Sequence, residues 1–198
     1  SYAKDFYNPE IEFRRMVDAF HQAGIEVWLD VVFNHTAELD DPGPAEHFKL
    51  LGREDWYLLS KDGEFLNFSG CGNTFKCAAP GARRMIRDLL IYWAQNHGVD
   101  GFRFDLASIL ERDPNGNFHQ GSELLWELKN DPELAGIKMI AEPWDAVGGY
   151  RLGYPSKNAG WAEWNDSFRD TVRKAVRGDE GQMPSLKEAI LGSSGIFG

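Results

Sequence analysis

The sequence lacks the features that mark membrane-spanning, secreted and nucleic-acid-binding proteins. No apolar run approaches the ~20 residues of a membrane-spanning helix. The opening stretch SYAKDFYNPE has no basic segment followed by an apolar one, as a secretory signal would. The net charge of -10 repels the phosphates of nucleic acids. We therefore predict neither a membrane nor a nucleic acid as a partner, and we predict a cytoplasmic location.

Cysteine is scarce as well, since Cys71 and Cys77 are the only two in the sequence. In the stretch CGNTFKC they could form a disulfide or bind a metal ion, but neither a second cysteine pair nor a histidine cluster accompanies them. We therefore predict free thiols and no metal site.

Aromatic residues, by contrast, are abundant, with seven Trp and six Tyr among 198 residues. Hydrophobic residues make up 42% of the chain, which is ample for a core. Flat aromatic faces also stack against sugar rings. An acidic, aromatic-rich chain suits a neutral ligand better than an anionic one.

Helical and strand-like apolar patterns alternate along the chain. Asn8 followed by Pro9 predicts the start of a first helix, which Gly24 ends. Two further helices are predicted near residues 81–97 and 122–129. Between and after these helices lie four strand candidates, IEVWLDVVF, VDGFRFD, IKMIAEPW and WAEWND. The alternation predicts an α/β fold with parallel strands.

Three other segments carry predictions of their own. Residues 36–80 are rich in Gly, Pro, Asp and Asn, and a connection of that length in a compact domain is predicted to be functional. The last helix is predicted to open with a capping box formed by Ser185 and Glu188. The helix before it is predicted to turn an apolar stripe inward, formed by Phe168, Val172 and Val176.

A carboxylate follows a hydrophobic run in three of the strand candidates. These are Asp30, Asp105 and Glu142. Right-handed crossovers between parallel strands place all the C-terminal strand ends on one rim. Because buried carboxylates without partners are costly, three of them on one rim indicate a functional site.

Arg103 raises a separate question, because strand alternation places it on the same face as Asp105. One interpretation is a structural ion pair in which the two side chains neutralise each other. The other is that both side chains face a substrate from the end of a barrel strand. The shared rim of carboxylates favours the second interpretation.

Three short motifs carry a resemblance to a known family. DVVFNH at 30–35, GFRFD at 101–105 and AEPW at 141–144 resemble signature regions of the α-amylase superfamily of glycoside hydrolases. The stretches AFHQAGIEVWLDVVFNHTAE, NFSGCGNTFKC, IAEPWDAVGGY and WAEWNDSFRDTVR are similar to isoamylase-type glycogen debranching enzymes. The resemblance implies a partial (β/α)8 TIM barrel containing roughly the third to sixth strands, with residues 36–80 as a substrate loop.

The resemblance also implies an incomplete catalytic domain over residues 1–198. A (β/α)8 barrel needs about 250 residues, so this chain with its long loop cannot close one. The histidine-aspartate pair of the seventh strand and the first two strands have no counterpart here. We therefore expect an internal fragment whose partners include the missing barrel segments of a longer parent chain.

The family resemblance assigns roles to five residues. It implies that Asp105 is the nucleophile and Glu142 the general acid of a retaining glycosidase. Arg103 would keep Asp105 ionised and orient it. His35 would contact the sugar at the cleaved bond, and Asp30 would support the arginine.

Further side chains near these motifs have less settled roles. Trp144, Trp161 and Trp164 are each either a sugar-stacking platform or a core residue, and Trp144 is assigned to the substrate. Together with Pro143, Trp144 is expected to surround Glu142 with apolar groups that keep it protonated. Asn34 matches a calcium-binding position of some relatives, but the debranching branch does not keep that site uniformly, so no cofactor is predicted.

The implied activity of the parent is hydrolysis of α-1,6 branch linkages in glycogen or a limit dextrin by a retaining double displacement. Branched α-glucan is then the substrate, and the fragment alone is expected to be inactive. Two alternatives stay open. One is a catalytically inert fragment that binds α-glucan, and the other is an α-1,4-acting or trehalose-releasing relative.

Overall fold

A single parallel sheet organises the part of the chain described by the computed structural model, residues 8–119 and 121–198. Its strands are β1 (Trp28–Val31), β2 (Gly101–Phe104), β3 (Lys138–Ala141) and β4 (Ala162–Glu163). They pair in chain order, and each is parallel to its neighbour. All four predicted strands and the α/β class are therefore confirmed.

Helices connect and flank these strands. They are α1 (Pro9–Gln22), α2 (Phe48–Trp56), α3 (Pro80–His97), α4 (Glu123–Asn130), α5 (Tyr154–Ala159), α6 (Asp166–Arg177), α7 (Met183–Ile190) and α8 (Ser194–Phe197). Two 3-10 helices, η1 (Ala107–Glu111) and η2 (Pro132–Leu134), follow β2 and α4. The order strand, helix, strand places the C-terminal ends of β1 to β4 on one rim of the sheet.

The predicted ends of three helices are confirmed by their caps. The Asn8 side chain accepts a hydrogen bond from the amide of Ile11 at the start of α1. Ser122 caps α4 through the amide of Leu125. Gly98 ends α3 with a φ of 70°, a left-handed conformation that glycine adopts without a Cβ clash.

The core lies between the middle of the sheet and the helices α3 and α4. Its fully buried members include Phe102 and Phe104 of β2, Ile86 and Leu90 of α3, and Leu124 and Leu128 of α4. β2 is the most deeply buried strand, and it ends directly before Asp105. The residue that follows it is therefore held on a rigid element.

Two predictions about the last helices are wrong. Phe168 and Val176 of α6 are 41% and 84% exposed, and only Val172 of the predicted inward stripe is half-buried. An apolar stripe identifies a face but not whether anything covers it. The last long helix begins at Met183 with Pro184 in its first turn, so Ser185 is not its cap. Glu188 instead accepts hydrogen bonds at the start of α8.

The connection predicted as a long loop over residues 36–80 contains the helix α2, which the sequence pattern did not indicate. The buried carboxylate of Glu38 accepts hydrogen bonds from the amides of Glu46, His47 and Lys49, at 2.8, 2.9 and 3.1 Å. These are amides at the start of α2, which would otherwise have no partner. The helix is obscured in the sequence because Gly52 interrupts it with a non-helical φ of 131°.

Glu38 is also bonded to the hydroxyl of Tyr57, which lies in the core. Burial of Glu38 works against its ionisation, but the hydrogen bonds from Tyr57 and the three amides outweigh burial and lower its pKa to about 2. The carboxylate therefore stabilises the folded connection at any pH above its ordinary value near 4.5.

Glu38→Gln is expected to reduce the free energy of unfolding by about 2 kcal/mol at neutral pH, since it removes charge-assisted hydrogen bonds to buried donors. Urea unfolding measures the change, with the exposed Glu54→Gln on α2 as the matched control. The difference between wild type and Glu38→Gln should shrink as the pH falls from 4.5 toward 2. Equal stability of wild type and variant at neutral pH would refute this role.

Candidate active site

The rim of the sheet brings four of the sequence-predicted residues together. Asp30 of β1 lies opposite Arg103 of β2 in the strand register. Asp105 directly follows β2, and Glu142 directly follows β3. The side chains meet because each leaves its strand at the same edge of a parallel sheet.

Arg103 is the centre of this cluster. Its Nη1 lies 2.9 Å from Oδ1 of Asp30 and 2.7 Å from Oδ1 of Asp105. Its Nη2 lies 2.8 Å from Oε2 of Glu142. One guanidinium therefore joins three carboxylates, and its fixed fork of donors sets their relative positions. Its guanidinium carbon also lies 4.2 Å from the ring of Trp164, which holds its plane.

Asp105 is bound from two sides. The side-chain amide of Asn34 donates to Oδ2 of Asp105 at 2.9 Å and to its backbone oxygen at 2.8 Å. Burial raises the pKa of Asp105, but the hydrogen bonds from Asn34 and Arg103 outweigh burial, so the pKa is lowered overall. Asp105 is therefore ionised at neutral pH, as a carboxylate nucleophile must be.

Glu142 has polar partners where an apolar environment was expected. Its Oε2 accepts from the amide of Leu106 at 2.9 Å and also contacts Arg103. The prediction that Pro143 and Trp144 supply an apolar environment for this carboxyl did not include these polar partners. The sequence shows which residues adjoin Glu142 along the chain, but not which ones its strand neighbour presents to it.

Asp105 and Glu142 are neighbours in this cluster, because Nη1 of Arg103 contacts Asp105 and Nη2 contacts Glu142. The contact between the two carboxyl groups also lowers the pKa of Asp105, after the larger contributions of Asn34 and Arg103. The geometry therefore places a second carboxyl group beside the ionised Asp105.

Leu106 adopts a left-handed backbone conformation with a φ of 43°. Such a conformation is uncommon for a residue with a branched side chain, and it is found where surrounding structure enforces it. Here it turns the chain from β2 into η1 and directs the amide of Leu106 at Glu142. Local strain therefore coincides with a contact to the candidate acid.

The other predicted residues lie around this cluster. His35 is half-buried, and its Nδ1 contacts the side-chain oxygen of Asn34. Trp144 is half-buried in the turn after Glu142 and pairs with Tyr150 in an antiparallel bridge. Trp161 is 5% exposed and stacks on a core phenylalanine, so it belongs to the core. Trp164 is 46% exposed and covers the central arginine.

Sequence reasoning considered Asn34 only for calcium and missed its contact with Asp105. The motif DVVFNH contains the signal, since an asparagine beside a histidine lies three residues after the end of β1. Within residues 8–119 and 121–198 no group of three or more His, Cys, Asp or Glu side chains is arranged to hold a metal ion.

The two cysteines are free, as predicted, with Cys71 exposed and Cys77 buried. The thiol of Cys77 donates to the backbone oxygen of Phe33 at 3.2 Å, and burial raises its pKa to about 12. Cys77 is thus a packing residue rather than a reactive thiol. No helix in the described part of the chain combines the length and apolar character needed to cross a membrane.

Several known proteins have sequences similar to this chain, and they are named as isoamylases or glycogen debranching enzymes. No family model matches the chain. A chloroplastic isoamylase of Zea mays is 43% identical over 206 residues, a match that covers 94% of this chain and 26% of the relative. A glycogen debranching enzyme of Yersinia enterocolitica is 46% identical over 193 residues, covering 96% of this chain and 28% of the relative. The chain thus spans about a quarter of the length of the curated relatives it matches.

Comparison of the fold leads to the same group of enzymes. A crystal structure of pullulanase complexed with maltotriose, from Anoxybacillus sp. LM18-11, superposes with a TM-score of 0.78 at 28% identity. The match covers 98% of this chain and 28% of that one. The four strands and their helices are therefore a part of a larger TIM-barrel architecture.

Proposed function

We infer, because this chain belongs to the isoamylase-type glycogen debranching enzymes of the α-amylase superfamily, that it carries the two catalytic carboxylates of a retaining α-1,6-glucosidase. One observation above all supports the proposal. A single guanidinium, that of Arg103, holds Asp105 and Glu142 side by side at the rim of the sheet. The proposed substrate is a branched α-glucan, glycogen or a limit dextrin.

In the first proposed step, a carboxylate oxygen of Asp105 attacks the anomeric carbon of the sugar. The bond from that carbon to the bridging oxygen breaks, and Glu142 transfers its proton to the departing oxygen. The products are a free glucan hydroxyl and a glycosyl ester on Asp105. The proximity of the two carboxyls suits this course, because an inverting enzyme separates them by about 6.5–9.5 Å to admit a water.

In the second step, Glu142 acts as a general base and removes a proton from water. The water oxygen bonds to the anomeric carbon, and the ester bond to Asp105 breaks. Two displacements at one carbon retain its configuration. Asp105 is again ionised and Glu142 again protonated, so the site is ready for another turnover.

The remaining side chains of the cluster have supporting roles in this proposal. Arg103 and Asn34 keep Asp105 ionised and aimed, and Asp30 anchors the guanidinium from the other side. His35 is proposed to bind the sugar at the cleaved bond, and Trp144 to contact the glucan. We propose no cofactor.

The proposed domain assignment takes residues 1–198 as part of a catalytic barrel, with residues 36–80 along the substrate cleft. The sheet is open, because β1 and β4 each have one strand neighbour among the described residues. Activity therefore requires a longer chain that contains this segment and the other barrel elements, which we call the barrel-complete protein. The cytoplasm is the proposed location, although the plant relatives are named chloroplastic.

The proposal is tested by reducing-sugar release from glycogen and from linear α-1,4-glucan. The barrel-complete protein should act on glycogen and leave the linear glucan intact. The 198-residue chain alone should release no sugar and should self-associate, since its edge strands and apolar faces have no cover. Size-exclusion chromatography measures the association. Cleavage of linear glucan would favour an α-1,4-acting relative, and binding without release would favour an inert glucan-binding protein.

A further inference from the structure

Two ion pairs outside the candidate active site join the segments that follow β2 and β3. Arg151 Nε lies 2.9 Å from Oε2 of Glu111, and Arg112 Nη2 lies 2.5 Å from Oδ2 of Asp145. The carboxylates of Glu111 and Asp145 are fully buried, and the arginines are 19% and 7% exposed. The steps proposed above use none of these four residues.

These pairs hold a short hairpin over residues 143–151, which we call the acid hairpin because it follows Glu142 directly. Within it, the amide of Arg151 donates to the oxygen of Pro143 at 2.7 Å. Asp145 closes the turn by accepting from the amides of Val147 and Gly149, at 3.0 and 2.7 Å. The hairpin is thus tied once at its base and once at its turn to consecutive residues of the neighbouring segment.

Aromatic rings fix both guanidinium groups between these segments. The ring of Phe118 lies 4.1 Å from the guanidinium carbon of Arg112 and 5.0 Å from that of Arg151. Phe68 covers Arg112 at 3.8 Å, and Tyr154 covers Arg151 at 3.6 Å. Planar guanidinium groups stacked in this way have little freedom to move.

A closed path of contacts connects Glu111 and Arg151 to the candidate acid. The amides of Leu106 and Ala107 donate to the carboxylate and to the backbone oxygen of Glu142, at 2.9 and 2.8 Å. From Ala107 the 3-10 helix η1 runs directly to Glu111. Glu111 binds the side chain of Arg151, and the backbone amide of Arg151 donates to the oxygen of Pro143, the residue after Glu142. Both the side chain and the backbone of Glu142 are therefore members of this ring.

Unsatisfied polar atoms in the pair of Glu111 and Arg151 indicate that this pair does more than stabilise the fold. Oε1 of Glu111 and Nη2 of Arg151 are buried and have no hydrogen-bond partner. A buried ion pair with incomplete hydrogen bonding is no more stabilising than apolar side chains of the same size. Such pairs can fix one geometry among several that apolar packing would permit.

We propose that Glu111 and Arg151 are positioning residues for Glu142, which hold the acid hairpin so that the carboxyl group of Glu142 faces the bond to be cleaved. Arg112 and Asp145 act with them by fixing the turn of the same hairpin. The proposal rests on the proposed function, because it takes Glu142 as the proton donor. It predicts that substitutions of these residues slow only the step in which Glu142 donates a proton.

The test compares two substrates of the barrel-complete protein that differ in their leaving group. Glucose in a branch linkage leaves only with a proton, whereas nitrophenol in nitrophenyl α-maltotrioside leaves with little help. Arg151→Gln and Glu111→Gln should each lower kcat on glycogen about tenfold and change kcat on the nitrophenyl glycoside less than about twofold. Arg151→Lys should recover part of the loss on glycogen, because it retains the charge facing Glu111.

The matched control is Arg177→Gln, which removes an arginine from an exposed ion pair with Asp179 at the end of α6. This variant should leave kcat unchanged on both substrates. Equal losses on both substrates in Glu111→Gln, which conserves shape, would overturn the positioning role even if Arg151→Gln fails to fold. Failure of wild type to release branches would instead refute the proposed function, so the two failures are distinguishable.

Discussion

Asp105→Asn is expected to abolish hydrolysis of glycogen by the barrel-complete protein, lowering kcat by at least about 10⁴-fold. An amide is too weak a nucleophile to form the glycosyl ester. The replacement changes little volume, and its one side-chain oxygen can still accept from Arg103, although it loses the hydrogen bond from Asn34 to the second oxygen. Binding of glucan, measured by isothermal titration calorimetry, should therefore stay within about threefold of wild type.

The control for this variant is Asp18→Asn, which makes the same chemical change on an exposed face of α1. It should leave both hydrolysis and binding unchanged. Turnover by Asp105→Asn near the wild-type rate would show that another group forms the bond to the sugar. Loss of glucan binding together with turnover would assign Asp105 to substrate binding instead.

Glu142→Gln is expected to lower kcat on glycogen by about 10²–10⁴-fold, because glutamine cannot donate the proton that the departing hydroxyl needs. On nitrophenyl α-maltotrioside the formation of the glycosyl ester should be much less affected, and the later attack by water becomes slow. Rapid-mixing measurements should therefore detect a burst of nitrophenol followed by slow turnover.

A burst in Glu142→Gln distinguishes an acid from a residue that only shapes the site. Glu180→Gln is the matched control, since it makes the same chemical change at an exposed residue after the end of α6. It should produce no burst. Equal slowing of nitrophenol release and of glycogen cleavage in Glu142→Gln would remove it as the proton donor.

The elements and residues that follow from local chemistry are predictable from the sequence. Asn8 before Pro9, and Gly98 after an apolar helix, define helix ends through backbone hydrogen bonds that adjacent residues supply. Convergence of Asp105 and Glu142 follows from one further rule, that parallel strands joined by helices share a rim. For that reason the parallel strands and the shared rim of carboxylates are predictable from the sequence.

Features that depend on tertiary partners are not predictable in this way. Glu38 accepts hydrogen bonds at the start of α2 from amides that come near it only when the connection folds back. Glu111 and Arg151 are far apart in sequence, and no periodicity relates them. The exposure of the α6 stripe and the polar partners of Glu142 could not be predicted for the same reason. The sequence does not show which surface packs against a given side chain.

The covalent glycosyl ester on Asp105 is the most direct test of the proposed chemistry. Glu142→Gln barrel-complete protein is mixed with α-maltotriosyl fluoride, whose fluoride leaves without a proton donor. After rapid acid quench and proteolysis, mass spectrometry identifies the labelled peptide. We predict one maltotriosyl group on the peptide that contains Asp105, and no label when Asp105→Asn is combined with Glu142→Gln. Fluoride release with no labelled peptide, or a label on Asp30, would contradict the assignment of the nucleophile.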